Sequence, residues 1–96
     1  MKEPIYDYDP AVALESEESI AVFLADALET SDTAYIAKAM GVVARAKGMT
    51  QVARDAGLSR ESLYKALSGE RTPGFDTILK VVSALGLKLH AEATHQ

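Results

Sequence analysis

The stretch that decides the fold is Met49-Thr50-Gln51-Val52-Ala53-Arg54-Asp55-Ala56-Gly57-Leu58-Ser59-Arg60-Glu61-Ser62-Leu63-Tyr64-Lys65-Ala66-Leu67-Ser68-Gly69. Its spacing predicts two very short helices, 50–56 and 60–68, crossing steeply through a three-residue turn. Helices that meet this closely need a small residue at the contact, and Ala53 supplies it. The turn needs a residue that tolerates positive φ, and Gly57 supplies that. Leu58 fills the corner, and Ser59 caps the second helix by offering its hydroxyl oxygen to a free N–H. Leu63, Ala66 and Leu67 form the buried stripe of that helix. Arg60, Glu61, Ser62, Tyr64, Lys65 and Ser68 are left outside. The segment reads as a helix-turn-helix.

An outward surface of Arg, Lys, Ser and Tyr suits the major groove of duplex DNA, with bidentate donors for guanine and hydroxyls for phosphate. The expected readers are Ser59, Arg60, Glu61, Ser62, Tyr64 and Lys65. Gln51, Arg71, Thr72 and the N–H groups at helix starts are expected to give supporting phosphate contacts. Glu61 has two readings that stay open: acceptor for a cytosine amino group, or support for the helix N-terminus. The alternative for the whole unit is an ordinary helical hairpin with no ligand.

Outward from this unit the chain reads as further short helices. Residues 1–8 look extended. Asp9-Pro10 predicts a helix start over 10–15, with an N-cap carboxylate before proline. Ser16 is placed to cap a helix over 17–29, with Glu17 and Glu18 in its first turn. Ile20, Phe23, Leu24, Ala27 and Leu28 would be its inner face. Thr30-Ser31-Asp32 breaks that helix, and Asp32 caps another in which Ile36, Ala39, Met40 and Val43 face inward, ending at Gly48. Gly41 within it marks close helix packing. After the loop Gly69–Phe75, Asp76 is expected to cap a last helix with Ile78, Leu79, Val82 and Leu85 inward, closed by Gly86. Leu87, Leu89 and Ala91 alternate with Lys88, His90 and Glu92, which predicts a short strand. The fold class is therefore all-α, five to six short helices with one possible C-terminal strand.

Ninety-six residues suit one domain. Its parts are an acidic helical region at 5–32, a helix-turn-helix core at 33–86, and a strand and tail at 87–96. The net charge is −4, but it is unevenly spread. Residues 1–32 hold nine acids against one cation, Lys2, whereas residues 33–96 hold nine cations against five acids. Such asymmetry fits two partners, or else an acidic helix start that merely solvates a small domain. The absence of cysteine excludes disulfides, zinc–thiolate sites and thiol catalysis. No apolar run is long enough to span a membrane, and the start Met1-Lys2-Glu3-Pro4 has no signal pattern, so a cytoplasmic protein is expected. The only histidines, His90 and His95, fall in the terminal segment, and no phosphate-binding glycine loop occurs. Neither enzyme activity nor a cofactor is expected.

From Ala53 through Gly57 and Leu63 to Gly69, then at Pro73, Thr77, Leu79, Leu85 and Gly86, the chain resembles the XRE, or lambda-repressor-like, helix-turn-helix superfamily. More closely, residues 5–90 resemble the small bacterial addiction-module antidote proteins, relatives of HigA-type antitoxins. Tyr6-Asp7, Ile20 to Leu28, Asp32, Ala44 to Arg54 and Gly57 to Gly69 carry this likeness. The resemblance implies an antitoxin that neutralises a RelE/ParE-type toxin encoded beside it and represses their shared promoter. The alternative is a stand-alone XRE-type repressor with no toxin. The chain departs from many XRE members where Thr50-Gln51 runs directly into Val52-Ala53, without two intervening residues. That shortens the first helix of the motif by about half a turn and ranks Gln51 behind Arg60 and Lys65.

The acidic region, 3–32, is expected to cover a basic toxin. One such small unit binds too weakly to find an operator alone. A homodimer reading half-sites about one helical turn apart is therefore expected, joined through the last helix and the edge of the Leu87–Ala91 strand.

Overall fold

The computed structural model describes residues 16–94, and five α-helices make up that part of the chain. They are α1 (Glu17–Glu29), α2 (Thr33–Lys47), α3 (Met49–Ala56), α4 (Arg60–Ala66) and α5 (Phe75–Ala84). The all-helical expectation is borne out, with no strand among the described residues. The helix expected at 10–15 lies outside them.

Capping residues set most of the boundaries. The Ser16 hydroxyl accepts from the Ser19 N–H at 3.0 Å, and the Asp32 carboxylate accepts from the Tyr35 N–H at 3.1 Å. Between them Thr30 turns its hydroxyl back to the Ala27 carbonyl and Ser31 takes a positive φ of 54°, which stops α1. The Gly48 N–H closes α2 on the Ala44 carbonyl, and α3 begins at the next residue.

Every helix contributes to one apolar core, and no polar or charged side chain is buried among the described residues. Ile20 and Leu24 of α1 meet Met40 and Val43 of α2; Val52 and Ala53 of α3, Leu63 of α4 and Val81, Val82 and Leu85 around α5 complete the cluster. α1 packs on α2, while α3 packs on α2, α4 and α5. The eight-residue α3 is thus the hub that holds α4 in place. At Gly41 a Cβ would stand 3.3 Å from the Leu67 carbonyl oxygen, so glycine permits α2 to approach the end of α4. This is the close packing its mid-helix position suggests.

Five expectations need correction. The strand at 87–91 does not form: the Leu87 N–H bonds the Val82 carbonyl and the Gly86 N–H bonds the Ser83 carbonyl. Those two bonds are a Schellman closure of α5, with Leu87 folded onto the core. No second strand lies alongside among the described residues, so the alternating pattern has no ladder to join. Asp76 is not the cap of the last helix; Gly74 holds that place in extended conformation and Asp76 sits in the first turn, where its charge suits the dipole. Leu79 is 45% exposed, because the inner arc of α5 runs through Val81, Val82 and Leu85 with Ile78 at its edge. Leu28 is likewise exposed, and α4 ends at Ala66 rather than at 68.

Candidate nucleic-acid interface

The turn between α3 and α4 is built as its residue types require. Gly57 adopts φ 73° and ψ 29°, in the left-handed region. The Leu58 N–H bonds the Ala53 carbonyl at 2.9 Å and the Gly57 N–H bonds the Arg54 carbonyl at 3.1 Å, again a Schellman closure. Leu58 then packs against the core. Ser59, extended at ψ 156°, accepts from the Ser62 N–H at 3.0 Å and donates to the Ser62 hydroxyl at 2.9 Å. Both serine side chains are therefore engaged in starting α4.

Leu63 is fully buried and Leu67 nearly so, which fixes the roll of α4 and turns Arg60, Glu61, Tyr64 and Lys65 to solvent. The Arg60 guanidinium lies over the Tyr64 ring, 5.7 Å from its centroid, within cation–π range. Lys65 pairs with Glu61 one turn earlier at 3.9 Å. Both partners are well exposed, so the pair adds little stability and yields readily to a stronger anion. On α3, Gln51 donates its side-chain amide to Asp55 at 2.9 Å, along its own helix.

Two open clefts organise the surface around α4. Tyr64, Lys65, Ser68, Glu70 and Arg71 line one of about 540 Å³. This brings three of the expected residues, Tyr64, Lys65 and Arg71, to one place; Gln51 is not among them. The second cleft, of about 330 Å³, shares Tyr64 and Ser68 and adds Lys38 and Arg45 from α2. Reading the sequence assigned Lys38 no role and placed Arg45 only as a cation in the last turn of α2. Their signal is the spacing of seven residues, which puts both on one side of α2. Lys38 drapes over the loop after α4, its Cε 2.7 Å from where a Cβ on Gly69 would stand. Lys38, Arg45, Arg60, Lys65 and Arg71 thus border one continuous face, against the acids Glu61 and Glu70. Such a face offers several separated cations to a polyanion, with the Tyr64 hydroxyl between them, while the Ser68 hydroxyl donates to the Lys65 carbonyl at 3.0 Å and accepts from the Glu70 N–H at 3.1 Å.

A family model described as "Probable addiction module antidote protein" matches residues 4–93. An uncharacterised protein of Haemophilus influenzae is 47% identical over 92 residues, which cover 96% of this chain and 95% of the relative. No solved structure gives a significant match.

Proposed function

The chain belongs to the addiction module antidote family, and from that premise we infer a DNA-binding antitoxin of the HigA-like, XRE helix-turn-helix kind. In this reading it neutralises a RelE/ParE-type toxin and represses the promoter it shares with that toxin. The observation that carries the DNA half is the exposed face of α4, presented by a locally complete turn and continuous with cations from α2 and the loop at Arg71.

α4 enters the major groove with Arg60 and Lys65 as readers of base edges, the Tyr64 hydroxyl beside them, and Arg71 on phosphate. Glu61, held by Lys65 in the free protein, becomes available to a cytosine amino group once Lys65 turns to DNA. Gln51, bonded along α3, is a supporting contact at most. Ser59 and Ser62 act chiefly by fixing where α4 begins.

The protein works as a homodimer on a palindrome. With no strand edge at 87–91 to pair, the apolar side chains that α5 leaves in solvent, Phe75 at 69% and Leu79 at 45% exposure, take over as the dimer contact. They stand four residues apart, on neighbouring turns of one face.

The test is a salt titration of binding to the duplex upstream of its own gene. Affinity should fall with a log–log slope of about −0.9 per phosphate neutralised, and both Arg60→Ala and Lys65→Ala should weaken it. No binding at low salt, or normal binding by both variants, would refute the reading of α4.

A further inference from the structure

A groove of about 420 Å³ runs between α1 and the chain that follows α5. Ala21, Ala25 and Leu28 form one wall, at spacings that align them along one side of α1, and Leu87 and Leu89 form the other. Leu28 and Leu89 are 42% and 39% exposed, so the groove is apolar yet open. Its α1 side is acidic. That helix carries Glu17, Glu18, Asp26 and Glu29 and not one cation, and Glu29 itself lines the groove. On the far wall Lys88 is balanced by Glu92, which pairs with His90 at 3.8 Å.

Charge decides what fits here. Residues 1–15 hold Glu3, Asp7, Asp9 and Glu15 against Lys2 alone, a charge of the same sign as that of α1. A second copy laid α1 against α1 would set carboxylates against carboxylates. An apolar ridge flanked by Lys or Arg satisfies both floor and rim. We propose that this groove is the toxin-binding site, taking from the toxin an amphipathic segment of that chemistry. The proposal rests on the antitoxin reading above and assigns it a place on the molecule.

The probe is the purified product of the neighbouring gene of the module, titrated against the full chain by calorimetry. Ala25→Arg puts a bulky cation in the groove at an exposed helical site that arginine tolerates. It should weaken the complex by about thirtyfold or more, as loss of a central contact does. Glu18→Lys with Glu29→Lys should slow association and remove its salt dependence. Neither change should weaken binding to the upstream duplex. If the wild type binds the probe and Ala25→Arg binds equally well, the groove assignment falls while the antitoxin reading stands. If the wild type fails to bind, that reading falls and the groove with it. Should Ala25→Arg dissociate a dimer yet leave the toxin complex intact, a second copy is the occupant and the proposal is overturned.

Discussion

Gly57→Ala isolates the turn on which the whole α3–α4 unit depends. At φ 73° and ψ 29° the backbone is left-handed, and no heavy atom lies within 4 Å of where a Cβ would stand. The cost is therefore conformational, without a clash. An L side chain in that region costs roughly 1–2 kcal/mol. Alanine's stiffer unfolded chain returns roughly 0.4–1 kcal/mol, which leaves a net loss of about 1 kcal/mol. In a domain of this size that lowers the melting temperature by about 4–8 °C. Gly57→Asn should lose less, since asparagine visits the left-handed region more readily. Gly69→Ala should lose more: its φ is 83°, and its new Cβ would meet Lys38 Cε at 2.7 Å and the Ala34 carbonyl oxygen at 3.3 Å. Part of that excess should return in the Lys38→Ala background, a coupling a double-mutant cycle reads directly. Urea unfolding followed by circular dichroism is the assay. If Gly57→Ala matches the wild type, or Gly69→Ala is the milder of the two, the reasoning from local geometry is wrong.

Three further outcomes follow from the same geometry. Leu63→Ala should cost roughly 2–5 kcal/mol, because Leu63 is fully buried and anchors a helix of only seven residues; the urea midpoint reports it. Ser59→Ala should lose about 1 kcal/mol with the cap to Ser62, and Ser59→Asp should restore most of it. Arg60→Ala and Lys65→Ala should each stay within about 0.5 kcal/mol of the wild type in thermal stability, since their partners Tyr64 and Glu61 are exposed.

The α3–α4 unit was legible because its signals are local. A left-handed glycine, a capping serine and a small contact residue each act within a few positions of themselves, so their spacing alone places the turn. The end of the chain was not legible for the opposite reason. Leu87, Leu89 and Ala91 alternate like a strand, but a strand exists only where a partner supplies a ladder, and Leu87 spends its N–H on α5 instead. On α5 the sequence is apolar at 78, 79, 81, 82, 84 and 85, which allows two overlapping stripes. Only packing against α3 chooses the one through Val81. Lys38 and Arg45 were not placed on the α4 face because their importance lies in what they face across α2 and α4, thirty and twenty-three residues of chain away at Ser68.

α2 contributes to both the groove beside α1 and the cleft beside α4. Met40, almost wholly buried, belongs to the lining of the groove beside α1, while its neighbour Gly41 and the cations Lys38 and Arg45 belong to the cleft beside α4. No residue lines both the groove and either cleft of the α4 face. A protein seated in the groove would therefore leave Arg60, Lys65 and Arg71 uncovered, and DNA on α4 would leave Ala25 and Leu28 uncovered. The two surfaces thus share no lining residue, and α2 contributes to the walls of both. The overall charge of −4 conceals that arrangement, because it averages a helix with no cations and a face with five. What governs an approaching polyanion or polycation is the local field of each face, which salt confines to about 8 Å at physiological ionic strength.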